Sequence, residues 1–143
     1  MLLKDALKQK LYDLSEGIVI LQSRADSIHD PRSVACDVLG TLAELPFSND
    51  SVRLLPRNDA MILIRFIVKS FMICGPNDEQ IIMDLENLFL PADAIVFSTC
   101  ELAGHNEQNT AFLGRPLLDY SIEAGLISVR PDGFSLLWIG DED

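Results

Sequence analysis

The sequence predicts a mainly α protein, a compact helical bundle of five or six helices that closes on a C-terminal β-hairpin. Three observations lead there. Leu7, Leu11, Leu14, Ile18, Leu21, Ala25 and Ile28 recur at alternating steps of four and three, the stripe of a single helix face. Residues 61–74 are apolar nearly throughout, with Arg65 and Lys69 four apart on one narrow polar stripe. Near the end, Arg130-Pro131-Asp132-Gly133 separates two apolar runs; Pro pre-sets φ and Gly accepts positive φ, so the segment reads as a hairpin turn.

The elements follow in chain order. The first stripe gives a long helix over residues 7–28, which Gly17 weakens. Asp30 is an N-cap and Pro31 suits the first helical position, so a second helix carries Val34, Val38, Leu42 and Leu45 to the stop at Pro46. Residues 46–57 lack helical spacing and form the longest loop of this half. Asn58 or Asp59 caps a third helix over 60–74, ended by Gly75-Pro76. Asn77 opens a fourth, with Asp78 and Glu79 in the first turn where the helix dipole favours them and Pro91 beyond its end. A fifth helix is predicted over 92–103, with a strand over 94–97 as the alternative. A short helix over 117–124, stopped by Gly125, leads into the hairpin over 126–139. Helix followed by hairpin is the outline of a winged-helix end.

Length and composition give one globular domain. The chain has 143 residues, 48% of them hydrophobic, enough for a core and too many for disorder. Its formal charge is −11, from 11 Lys and Arg against 22 Asp and Glu. Residues 1–75 are a charge-balanced helical half. The excess lies in 76–143, where Arg115 and Arg130 are the only bases. Acids outnumbering bases two to one argues against nucleic acid and against an anionic membrane surface. It favours solubility and encounter with basic partners.

Chemistry-bearing motifs are sparse. Cys36, Cys74 and Cys100 are far apart, odd in number and set in apolar stretches, the look of reduced cysteines in a cytosolic protein. There is no secretory signal pattern, and 61–74 is too short and too charged to span a bilayer. His29 sits at a helix junction. His105 has Cys100, Glu101 and Glu107 nearby, but no second histidine stands at metal-binding spacing. No glycine-rich phosphate loop occurs. The sequence therefore offers no catalytic residue, cofactor or metal site.

A protein-binding role remains. Small acidic proteins without cofactors recur among inhibitors and immunity proteins that neutralise basic partners such as nuclease toxins. By that analogy of class, the partner-binding residues are Asp78, Glu79, Asp84, Glu86, Glu101, Glu107, Asp119, Tyr120 and Glu123; Trp138 is a second aromatic candidate, but packing of the hairpin on the core is the favoured reading for it. Asp119 and Glu123, four apart on the short helix, read as exposed, so reversing their charge is expected to weaken binding without unfolding the chain. The alternative is a self-associating structural, adaptor or chaperone subunit, a homodimer built on the seam of the first helix or on the very apolar third helix.

Overall fold

A computed structural model describes residues 17–24, 28–71, 78–105, 110–114, 116–118 and 122–141. Among them the expected bundle does not form. Three helices and seven strands build two antiparallel sheets. The strands are β1 (Gly17–Arg24), β2 (Arg53–Leu54), β3 (Ile95–Ser98), β4 (Cys100–His105), β5 (Thr110–Gly114), β6 (Ile122–Arg130) and β7 (Gly133–Asp141). The helices are α1 (Pro31–Leu42), α2 (Arg57–Phe71) and α3 (Asp78–Phe89). The main sheet runs β1-β7-β6-β3-β2, and β4 with β5 forms a separate two-stranded sheet.

The main sheet is the middle of three layers. On one side α2 and α3 bury Leu63, Ile64, Ile67, Ile82, Leu85 and Phe89 against Val96, Leu126, Leu137 and Ile139. On the other, α1 buries Ala35, Cys36 and Leu39 against Phe97, Ile127, Val129, Leu136 and Trp138. Strands covered on both faces lose the alternation of polar and apolar positions and become continuous apolar runs. Such runs are what the helical expectation misread.

Three elements are corrected. Residues 17–24 are strand β1, hydrogen-bonded to β7 from Gly17↔Gly140 to Arg24↔Gly133, not the second half of a long helix. The three-four spacing picked a subset from a stretch, Ile18-Val19-Ile20-Leu21, that is apolar at every position and rich in β-branched residues. Leu7, Leu11, Leu14 and Ala25 of that stripe lie outside the described residues, and Ile28 is in the connection between β1 and α1. In place of the fifth helix are β3, which is the strand weighed as the alternative over 94–97, and β4. In place of the short helix are a bend at Leu117-Leu118 and the start of β6, so the winged-helix outline fails as well.

The capping and turn chemistry is right at Asp30 and at the last hairpin turn. It fails at Asn58 and Asp59, which lie inside the first turn of α2 and not at its cap, and at Gly125, which is inside β6. Gly75-Pro76 and Asn77 lie outside the described residues. The Asp30 carboxylate accepts the Ser33 N–H at 3.2 Å at the start of α1. Pro131 and Asp132 alone join β6 to β7, the last pair being Arg130↔Gly133. Gly133 has φ 154°, a conformation L side chains rarely adopt.

Arg130, at the end of β6, is 3% exposed. Both of its terminal nitrogens donate to Ser135 Oγ at 3.3 Å, and the same hydroxyl accepts from Gln22 Nε2 at 2.9 Å. Arg130 Nε, 3.5 Å from the exposed Asp132 carboxylate, has no hydrogen-bond partner. A buried guanidinium so thinly served regains little of its desolvation cost. Arg130→Met should be neutral or up to about 2 kcal/mol stabilising in urea unfolding. A loss above about 2 kcal/mol would mean that the ion pair with Asp132 carries real stability.

Candidate functional site

The predicted partner-binding acids do not come together as one patch among the described residues. Asp78 and Glu79 open α3 beside α2 and are held within the molecule. Glu79 receives both terminal nitrogens of Arg65, at 2.8 and 3.2 Å, while Lys69 pairs with Asp78 and lies 3.6 Å from Glu79. Asp84, one helical turn further on, accepts from Gln80 Nε2 at 3.0 Å, and Glu86 is half-buried. Glu101 lies on β4, paired with Arg53 of β2 at 3.2 Å. Glu107, Asp119 and Tyr120 fall outside the described residues, as does Cys74. Trp138 is fully buried on the α1 side of the sheet, a core residue rather than an anchor.

The hydrogen bonds from Arg65 and Lys69 hold the Glu79 and Asp78 carboxyls below the usual carboxylate range. With folded values lowered, their stabilisation is complete above the unfolded values near pH 4 and disappears as pH falls through the folded ones. Both pairs are exposed, so the effect is small. The stability difference between wild type and Asp78→Asn/Glu79→Gln, measured by urea unfolding, should shrink toward zero between about pH 5 and pH 2. A difference that persists unchanged at the acid end would show that these carboxylates act through packing.

Glu123 is in β6, half-buried, and not on a helix. Its carboxylate accepts the Leu117 N–H at 2.7 Å, the Leu118 N–H at 3.1 Å and Trp138 Nε1 at 2.7 Å. The Leu117 carbonyl in turn accepts the Glu44 and Leu45 N–H groups at 2.7 and 3.2 Å. Glu123 thus ties the bend at 117–118 between the C-terminal end of α1 and the sheet.

A surface groove lies where the chain leaves the main sheet. Ser98 Oγ donates to the Gly125 carbonyl at 2.6 Å and accepts the Cys100 N–H at 2.9 Å, fixing the corner from which β4 departs. The β4–β5 hairpin returns to that corner at Gly114, where an added Cβ would stand 2.3 Å from the Thr99 carbonyl oxygen. Between this base and the 3₁₀ turn Asn49–Ser51 is a groove of about 370 Å³. Its walls are Ser48, Asp50, Arg53, Thr99, Glu101 and Leu113. Leu113 is 64% exposed. A second groove, of about 390 Å³, runs beside β2 and is apolar apart from Arg57, with Leu54 62% exposed on its rim.

Asp50, Arg53 and Leu113 were not among the predicted site residues. Asp50 and Arg53 sit in the segment read as an unstructured loop, and nothing local signals that this loop meets residue 101. Cys100 and His105 stand at opposite ends of β4, roughly 16 Å apart at strand rise, so they form no pair. Burial pushes the Cys100 thiol up, away from the thiolate a nucleophile requires. His105 Nδ1 is 2.7 Å from Thr110 Oγ1 across the hairpin. The described residues contain no group of three His, Cys, Asp or Glu able to hold a metal ion, and no helix among them is long and apolar enough to cross a membrane.

Comparison with family models, curated proteins and solved structures returns no match.

Proposed function

We propose that this chain is a small acidic protein-binding protein of the inhibitor or immunity type, and that it captures a basic protein partner at the groove beneath the β4–β5 hairpin. One observation carries the reading. An exposed apolar side chain, Leu113, shares a solvent-open groove with the carboxylates Asp50 and Glu101. An apolar anchor with a polar rim is the composition of a protein interface. The ion pair of Arg53 with Glu101 is the intramolecular version of the contact a partner's Lys or Arg would make. The formal charge of −11 supplies the long-range attraction.

Capture of the partner from extract of the protein's own cell, followed by association kinetics with the purified partner, tests this. The on-rate should fall about tenfold or more between 50 and 500 mM salt, with much less change in the off-rate. A partner of acidic composition, or a salt-independent on-rate, would contradict the reading.

A further inference from the structure

We infer that Arg53 is an intramolecular competitor for the groove: its guanidinium holds the place on Glu101 that the partner's basic side chain takes, and the partner binds by displacing it. The inference rests on the reading above and names a residue that sets the affinity without touching the partner in the bound state.

The groove walls carry two carboxylates, Asp50 and Glu101, and one cation, Arg53. Arg53 Nη1 is 3.2 Å from Glu101 Oε2, and neither residue makes another ion pair among the described residues. Asp50 makes none among them. Its N–H donates to Ser48 Oγ at 3.3 Å, which fixes the turn and leaves its carboxylate at the groove wall. Arg32, the other cation at that turn, is engaged with the Asn49 carbonyl at 3.1 Å. The walls therefore carry one uncompensated negative charge, and the single guanidinium among them stands where an incoming cation is drawn.

The hold of Arg53 is weak. Both side chains are more than half exposed, at 59% and 54%, and one nitrogen meets one oxygen. Solvent screens such a pair and two long side chains lose freedom in making it, so it is worth no more than about fivefold in an equilibrium constant. The backbone beneath it is fixed, with Arg53 opposite Ser98 in the β2–β3 ladder and Glu101 opposite Leu113 in the β4–β5 ladder. Release is then a rotation of the Arg53 side chain into solvent, with no change of strand. A partner guanidinium that meets Glu101 through two parallel N–H···O bonds replaces the one contact Arg53 makes, and two such bonds are the stronger arrangement.

Titration of the full chain with hexa-arginine amide, followed by the amide NMR shifts of Thr99, Glu101 and Leu113, tests the competition. Arg53→Gln frees Glu101 and also removes one positive charge. Arg57→Gln removes the same charge four residues further on, from an exposed side chain that makes no ion pair among the described residues. Arg53→Gln should tighten binding about two- to fivefold beyond whatever Arg57→Gln does. In a Glu101→Gln background that extra gain should vanish, leaving the two arginine variants alike. Equal tightening by both variants in the wild-type background overturns the inference, since only net charge then matters, and leaves the basic-partner reading standing. Weaker binding on Arg53→Gln also overturns it, because Arg53 then orients Glu101 for the partner. An extra gain that persists without Glu101 overturns it too. Binding unaffected by Asp50→Asn/Glu101→Gln overturns the groove reading itself, and the inference with it.

Discussion

Glu123→Ala should destabilise the protein by roughly 3–5 kcal/mol, since it leaves three donors without their acceptor at about 1–3 kcal/mol each, reduced by partial access to water. Those donors are the Leu117 and Leu118 N–H groups and Trp138 Nε1. The loss spreads beyond the site because the same bend carries Leu117 and Leu118 into the core against α1. Glu123→Gln retains one carbonyl oxygen as an acceptor and should cost about half as much. Urea unfolding followed by the fluorescence of Trp138, the single tryptophan, measures both. A loss below about 1 kcal/mol for Glu123→Ala would mean that water replaces the carboxylate. The expectation that charge reversal here leaves the fold intact is thereby withdrawn. Glu123→Lys should unfold the chain.

Gly125→Val should cost a comparable 3–5 kcal/mol by overpacking at the upper end of what cores show. Gly125 is opposite Trp138 in the β6–β7 ladder, and the indole lies across its Cα. A Cβ there would stand 2.3 Å from Trp138 Cε3 and 2.5 Å from the Leu137 carbonyl oxygen. Neither strand can yield easily. β6 is held between β3 and β7, and the Gly125 carbonyl also accepts from Ser98 Oγ. Trp138→Leu in the Gly125→Val background should recover part of the loss, a coupling that a double-mutant cycle reads directly. Additive effects would place the strain in the backbone instead of the ring.

How far the fold was legible in the sequence depended on which signal each segment carried. Three chemical punctuation marks were legible, whereas the Asn58 or Asp59 cap and the Gly125 stop were not. Asp30-Pro31 opened α1, Pro91 closed off α3, and Pro131-Asp132-Gly133 formed the hairpin turn. Where the reading relied on apolar spacing, it held for α2 and α3, which have a polar stripe, and failed at residues 17–24 and 117–124. Ile18 to Leu21 are apolar at every position, so their spacing fits a helix and a strand alike, and at residues 95–97 the strand weighed as the alternative is the one that forms. Arg65, Lys69, Asp78 and Glu79 were visible as charges, but their mutual pairing depends on α2 and α3 lying side by side. The same holds for the groove, whose acids are 51 positions apart in sequence, at Asp50 and Glu101. Glu123 was misplaced because Leu117 to Ala124 has an apolar pattern that fits a helix, whereas Gly125 and Trp138 require an extended ladder.

The measurement that bears most directly on function is the equilibrium affinity for the captured basic partner of two double charge reversals, Asp50→Lys/Glu101→Lys in the groove and Asp78→Lys/Glu79→Lys on α3. Each changes the net charge by the same amount, so the long-range field is altered equally in both. The groove pair should weaken binding at least tenfold, and because it breaks only the single exposed Arg53–Glu101 pair it should lower the melting temperature less than the α3 pair does. The α3 pair, whose carboxylates are occupied by Arg65 and Lys69, should lower the melting temperature and weaken binding only two- to threefold. Equal weakening by both pairs would contradict a binding site at the groove and leave the acidity of the chain as a property of its surface as a whole.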